Sequence, residues 1–347
     1  MDFTQILKNL PEVKGPVEKK LSFNVKLKWT LIVLIGFFVL ANISLYGLAN
    51  NALQRFEYLA IIMGTDFGSI ISLGIGPIVM ASIILQLLVG SKILDIDTKT
   101  EEGKKFFQGL QKLLVFFFIL FEAMVYVLMK GLEAMPGYTF IVIFQLVLGG
   151  LVILFMDEVC HKWGFGSGVS LFIAAGVGWR LVVAAFGFLG PQGTFQASGK
   201  VISFVVSLMN GDSQGAMLAI AAILTTILLF LIVVWAQSLK IEIPLSYDRI
   251  RGYTMKWPLQ FFYASVIPVI LTAALVANLQ LFGGMLENWL GHATILGGFS
   301  QGQAISGLAF WLGNTNLIEA GITGSLRSVF LLQGVTHILF YILFATL

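Results

Sequence analysis

The sequence predicts an all-α polytopic membrane protein built as an inverted-repeat helical bundle, and three observations carry that expectation. Of 347 residues, 58% are hydrophobic and only 11% are charged, which is more apolar surface than a soluble core of this size can hide. Long apolar runs recur eight times, at about 29–49, 75–90, 106–129, 138–156, 167–189, 215–238, 257–282 and 328–347, against the roughly 20 apolar residues that a membrane span requires. Finally, Gly76-Pro77-Ile78-Val79-Met80-Ala81-Ser82-Ile83 in the second run is echoed by Ile267-Pro268-Val269-Ile270-Leu271-Thr272-Ala273-Ala274 in the seventh. Those two runs cross in opposite directions, which is the mark of an inverted repeat.

The first element is a lysine-rich arm over residues 1–28, with six lysines ahead of the first apolar run. The arm looks like the charged start of a signal peptide, but the run behind it is too long for a cleavable core, so it is read as retained. With the N-terminus inside, the cytoplasmic segments hold sixteen of the 21 Lys and Arg residues, and only Arg55, Lys130, Arg180, Lys200 and Arg327 fall on the outer side or at outer span ends. That asymmetry predicts a multi-pass protein of the cell membrane, or of the endoplasmic reticulum in a eukaryote, with a cytoplasmic N-terminus. The outer segments 190–214 and 283–327 are long and rich in Gly, Asn, Gln and Ser, and read as loops with room for short helix.

The second run is the anomaly. Its purely apolar part, 77–90, cannot cross about 30 Å of hydrocarbon alone. Residues 56–72, FEYLAIIMGTDFGSIIS, are read as a short amphipathic half-helix that joins it through Gly74 and Gly76. Pro77 suits a first helical turn, where its missing N–H costs nothing. Irregular backbone at membrane depth is tolerated only where protein buries it or water reaches it, so the break predicts an aqueous cavity, with a plain proline kink in a packed helix as the other reading.

These residues carry a resemblance. LGIGPIVMASIILQLLVG at 73–90, GFGSGVSLFIAAGV at 164–177, and EIPLSYDRIRG with KWPLQFFYASVIPVILTAALVANLQL at 242–281 closely resemble SecY, the channel subunit of the protein translocon, in its archaeal and eukaryotic branch. The resemblance runs in order along essentially the whole chain. It implies a ten-helix bundle in two inverted halves around an hourglass pore with a lateral gate to lipid. On that pattern 29–190 is the N-terminal half with spans one to five, and 191–347 is an incomplete C-terminal half with spans six to eight. The expectation is a C-terminally truncated chain with eight of ten spans.

The resemblance also implies site residues. The pore ring would be Ile75, Val79, Val169, Ile173 and Ile270, an apolar constriction that excludes water and ions by dewetting yet parts for any polypeptide. Residues 56–72 would be the plug, with Glu57, Ile61, Ile62, Gly64, Asp66 and Gly68 as its characteristic members; a re-entrant structural turn is the other reading. Gly74, Gly76 and Pro77 would form the hinge. The lateral gate would draw on Glu122 in span three, with Met80 and Val266 at positions where polar partners are expected; Ser265, like Ser82, is a candidate substitute. In the cytoplasmic loop 240–256, Arg249 and Arg251 beside Gly252 suit bidentate contact with ribosomal RNA phosphates, against a plain positive-inside bias as the other reading.

Other classes fit less well. A secondary transporter would also use inverted repeats and broken helices, but it needs polar groups converging at the midplane, and only Glu122 comes close. Ser167 has no histidine at a predictable partner position, and neither H-E-x-x-H nor a Walker A motif occurs, so no enzyme is expected. With Cys160 as the single cysteine and His161, His292 and His337 scattered, no metal or other cofactor is expected either. Movement must then be driven from outside, by a bound ribosome, in a complex with small SecE-type and beta-type subunits; nascent secretory and membrane polypeptides and the lipid bilayer complete the expected partners.

Overall fold

Helix boundaries follow local chemistry along the chain, of which the computed structural model describes residues 10–17, 20–51, 65–188, 197–245, 255–260, 266–300, 303–313 and 328–346. Helix α1, Phe23–Ala41, stops at Asn42, whose amide donates to the Phe38 carbonyl at 2.8 Å. Strand β1, Leu48–Asn51, follows, and then helix α2, Gly76–Gly90. Helix α3, Glu101–Leu128, starts on Thr100, whose hydroxyl accepts from the Gly103 N–H at 3.1 Å, and Glu101 and Glu102 place negative charge on its first turn. Strand β2, Leu132–Ala134, pairs antiparallel with β1 and so ties the end of α1 to the end of α3.

Helix α4, Thr139–Trp163, is followed after a tight connection by α5, Gly168–Phe186. Asp157 on α4 makes that connection possible, because its Oδ1 accepts from the Val169 N–H at 2.9 Å and puts a carboxylate on the first turn of α5. Helices α6, Lys200–Met209, and α7, Ser213–Ser238, come next, then strands β3, Lys240–Leu245, and β4, Met255–Gln260. The last elements are α8, Val266–Leu290, β5, Gly298–Ser300, β6, Gln303–Ser306, α9, Gly307–Trp311, and α10, Ser328–Thr346. Among the described residues α1, α3, α4, α5 and α7 are long and apolar enough to cross a membrane.

The chain divides into two compact units. One comprises Met1–Gly178, Ile270–Thr315 and Arg327–Leu347; the other comprises Trp179–Val269 and Asn316–Leu326. In the first, α1 packs on α4, α2 on α3, and α3 on α4. Phe37 of α1 stacks on Phe172 of α5 with ring centroids 4.9 Å apart, within an apolar cluster that includes Ile71, Leu73, Ile75, Ile119, Leu146 and Ile153. In the second, α6 packs on α7, and the large apolar side chains of α7 from Leu224 to Trp235 stay mostly outward. A helix apolar all round and uncovered by protein is one that lipid solvates.

Two expected boundaries move. Span one is displaced toward the N-terminus, because Lys26 and Lys28 are carried within α1 while residues 48–51 join a sheet. The run expected as a span over 257–282 begins instead in β4, where Trp257 faces Ile243 and Leu259 faces Ile241 across the hairpin. These apolar residues have cross-strand partners, and the described helix is Val266–Leu290.

The arm is fastened to the far end of α4. Val13 donates its N–H to Glu158 Oε2 at 2.9 Å, its carbonyl accepts from Lys162 Nζ at 2.5 Å, and the Lys14 carbonyl accepts from Trp163 Nε1 at 2.9 Å. Lys162 also pairs with Glu12, and Glu158 with Lys112 of α3. The Lys162 ammonium hydrogen-bonded to it holds the Glu12 carboxyl below its ordinary range. A depressed carboxyl contributes fastening that is present above its ordinary pKa and is lost as pH falls through the lowered one. Acidification below about pH 4 is therefore expected to raise protease cleavage of the arm in the intact protein, while Glu12→Gln should show the loosened arm at neutral pH and no further acid step. An acid step of the same size in Glu12→Gln would sink the assignment.

Candidate functional site

The site is built around the interruption ahead of α2. From Thr65 to Ile75 the chain runs in successive turns rather than the expected half-helix, as far as 56–72 lies within the described residues. Hydroxyls replace the helical ladder there. Ser69 Oγ donates to the Asp66 carbonyl at 2.6 Å, Ser72 Oγ donates to the Ser69 carbonyl at 2.6 Å and accepts from the Gly68 N–H at 2.8 Å, and Thr65 Oγ1 donates to the Ile71 carbonyl at 2.5 Å. The Leu45 N–H to the Gly68 carbonyl and the Ile70 N–H to the Ile43 carbonyl, both 2.9 Å, bind these turns to the chain that leaves α1.

Gly74 takes φ +53°, a left-handed step that favours glycine. Ile75 then serves as the N-cap of α2 and Pro77 stands in its first turn. With 15 residues, α2 is about 22 Å long and cannot cross the hydrocarbon by itself. Residues 71–79 are all buried, so of the two conditions that tolerate irregular backbone the described residues meet the first: protein covers the break.

Two glycines in the middle of α4 make that cover possible. A Cβ on Gly149 would fall on the carbonyl of Ile70, and one on Gly150 would lie 2.9 Å from Ile119 Cγ2 and 3.3 Å from Leu73 Cδ1. The pair forms a notch that admits the non-helical backbone. The sequence signal was present as adjacent glycines inside a strongly apolar run, and sequence reasoning passed over it.

The sequence-predicted residues fall as follows. Ile75 and Val79 are buried; Val169 and Ile173, on the first turns of α5, are half-buried and pack against the same apolar cluster. Ile270 and Val266 belong to α8, with side chains outside the described residues. Asp66 and Gly68 sit in the turns, with Gly68 at φ +98°, while Glu57, Ile61, Ile62 and Gly64 lie outside the described residues. Met80 is half-buried. Ser82 donates to the Ile78 carbonyl at 2.8 Å and accepts from Gln111 Nε2 at 2.7 Å, which fastens α2 to α3. Ser265, Arg249 and Arg251 are outside the described residues, the two arginines in the connection between β3 and β4.

Sequence reasoning singled out Glu122 but missed the other members of a buried polar set. Glu122 and Tyr126 on α3 are 0% exposed and Asn278 on α8 is 2% exposed. Neither Glu122 oxygen, nor the Tyr126 hydroxyl, nor either amide atom of Asn278 has a hydrogen-bond partner among the described residues. Ile119, Ala123 and Tyr126 of α3 and Ala274, Ala277 and Leu281 of α8 belong to one apolar cluster. Asn278 was legible as one of two amides, with Gln280, in the apolar stretch LVANLQL.

At its far end α3 is joined to α8 again. Lys130 is one of two described non-glycine residues with positive φ, at 58°, and its carbonyl accepts from Asn288 Nδ2 at 3.1 Å. The neighbouring Gly131 has no room for a side chain, because Met285 Sδ would lie 2.9 Å from its Cβ.

A family model described as SecY matches residues 69–347. The chain is 46% identical over 334 residues to the protein translocase subunit SecY of Methanothermobacter thermautotrophicus, covering 94% of this chain and 73% of that one. It is 40% identical over 325 residues to the same subunit of Methanocaldococcus jannaschii, covering 93% and 71%. Among solved structures, one described as a protein conducting channel superposes with a TM-score of 0.80 at 37% identity, over 99% of this chain and 76% of the other. Sec61 in the canine ribosome-channel complex from the endoplasmic reticulum superposes with a TM-score of 0.79 at 37% identity, over the same shares.

The notch orders two substitutions. Gly149→Ala meets backbone and is expected to cost about 1–3 kcal/mol, whereas Gly150→Ala meets the movable end of Ile119 and should cost less. Thermal melts of the two variants in detergent check this, and an equal or reversed order would overturn the notch.

Proposed function

This chain belongs to the SecY family, and on that premise we propose how its residues divide the labour of a protein-conducting channel. It is a multi-pass membrane protein and a channel for polypeptide translocation. The observation that carries the assignment is the short helix α2 that begins inside the protein at Gly76-Pro77 with Ile75 and Val79 on its first turn, in a chain whose relatives are translocase subunits.

Ile75, Val79, Val169, Ile173 and Ile270 make the constriction. Aliphatic side chains suit the task because a narrow apolar ring sheds water when empty and asks no particular hydrogen bond of a passing chain. The plug is residues 56–72, with Glu57, Ile61, Ile62, Gly64, Asp66 and Gly68. Gly74, Gly76 and Pro77 are its hinge to α2, and the left-handed Gly74 is the feature that supports this. The lateral gate lies between α3 and α8, with Met80, Glu122, Ser265 and Val266; the buried Asn278 joins them on the strength of its burial. The halves are 29–190 and 191–347, after a cytoplasmic arm of residues 1–28.

The chain carries no energy source of its own, so a partner drives transport. The channel in the canine relative is seen on a ribosome, and here Arg249 and Arg251 are the docking groups, on a hairpin whose strands are in register from Lys240↔Gln260 to Leu245↔Met255. SecE-type and beta-type subunits complete the complex, and the cytoplasmic N-terminus follows from the lysine distribution.

Two measurements test this. A secretory chain stalled on the ribosome is expected to crosslink to photoreactive residues at positions 75, 79 and 270; crosslinks elsewhere with none at these three would refute the constriction. Reversing the charge of both Arg249 and Arg251 should weaken ribosome binding by about tenfold or more, at roughly 1.5–3 kcal/mol for a charged hydrogen bond, and flatten its salt dependence. Unchanged affinity and salt slope would remove the loop from the docking surface.

A further inference from the structure

The outer segment 283–327, read as loop with room for short helix, holds in its described part the short helix α9, whose last carbonyls face side chains from two neighbouring helices. Ala309 O accepts from Gln280 Nε2 of α8 at 3.3 Å. Phe310 O accepts from Gln333 Nε2 at 2.6 Å and also from the Gly313 N–H at 3.2 Å; Thr336 Oγ1 lies 3.1 Å from Trp311 O and 2.8 Å from the Gln333 carbonyl of its own helix, so its one hydrogen is shared between them, and Leu312 O lies 2.7 Å from His337 Nδ1. Residues 333, 336 and 337 lie on one face of α10, one helical turn apart. A carbonyl only accepts, so His337 Nδ1 carries the hydrogen, and that bond stands whether the ring is neutral or charged.

The other end of α9 is closed as fully. The Leu308 N–H donates to the Ile295 carbonyl at 3.1 Å and the Ala309 N–H to the Leu296 carbonyl at 2.8 Å. Gly307 turns into the helix at φ +75°, so close to Gly297 that a Cβ would lie 2.8 Å from its Cα. Phe299 N–H donates to Glu287 Oε2 of α8 at 2.8 Å, which fastens the hairpin before α9 to the same helix. Ala309 and Gln333 are buried, so water is not at hand to replace the bonds they make, whereas the Trp311–Thr336 contact is open to solvent.

We propose that α9 is a rigid coupling that makes the outer parts of α8 and α10 move as one body. The four carbonyls of residues 309–312 are the joint. A helix end without partners in an apolar setting is costly, and sliding α8 against α10 would strip partners from it. Coupling converts two helices into a single arm, so any displacement of α8 from α3 carries α10 with it. The meaning of this arm for the lateral gate rests on the reading of α3 and α8 as gate helices, whereas the coupling itself does not.

The test is distance measurement between spin labels on the full chain in lipid nanodiscs, with Cys160→Ser and labels at the exposed positions 128 on α3, 290 on α8 and 335 on α10. On loading with a ribosome-arrested secretory chain, the 290–335 distance is expected to stay within its resting distribution while 128–290 lengthens. In Gln333→Leu/Thr336→Val/His337→Leu the 290–335 distribution should broaden on loading. A shift of 290–335 in the unaltered joint, or no broadening in the triple variant, overturns the coupling. If the triple variant does not fold, Thr336→Val alone and the unaltered pair decide. Static distances at both pairs in a loaded channel would instead refute the gate reading, and the variant would still decide the coupling.

Discussion

Everything near the centre of this protein depends on one constraint: backbone that leaves the helical ladder at membrane depth must find its hydrogen bonds inside the protein. Residues 65–75 meet it with the hydroxyls of Thr65, Ser69 and Ser72, with bonds to residues 43 and 45, and with a seat against α4 that only glycine at 149 leaves open. The short helix α2 is the outcome. Because its backbone starts at Gly76, its first aliphatic side chains stand in the interior of the molecule rather than at a membrane surface.

The same constraint explains which parts of the fold were legible in the sequence. Glycine and proline at 74, 76 and 77 act through φ and the missing N–H, both local effects, and the start of α2 was therefore readable. So were the cores of α3, α4, α5 and α7, where apolar runs reach the length that lipid demands. What was not readable depended on partners distant in sequence. Trp257 and Leu259 looked like the opening of a span because hydropathy cannot distinguish a lipid-facing residue from one paired across a hairpin with Ile243 and Ile241. The notch at Gly149 and Gly150 acquires meaning only when Ile70 is placed against it. The segment 65–72 looked amphipathic enough for helix, yet its serines bond to their own backbone, a competition that propensity does not weigh.

The buried polar atoms have the opposite character. Glu122, Tyr126 and Asn278 sit in an apolar cluster without partners among the described residues, in a chain that otherwise satisfies irregular backbone with care. Polar groups kept in such a place lower the stability of the packing around them, while two features hold the end of α3 to α8: the bond from Asn288 to the left-handed Lys130 and the seating of Met285 on Gly131.

The fastening of the arm bears on how the molecule is made. Val13 meets Glu158 across 145 residues of chain, and Trp163 meets Lys14 across 149. Since synthesis proceeds from the N-terminus, the arm must wait, unsecured, until α4 has emerged and been inserted. A chain whose fourth helix is misplaced has nothing for residues 12–14 to grip, so the fastening depends on the placement of α4.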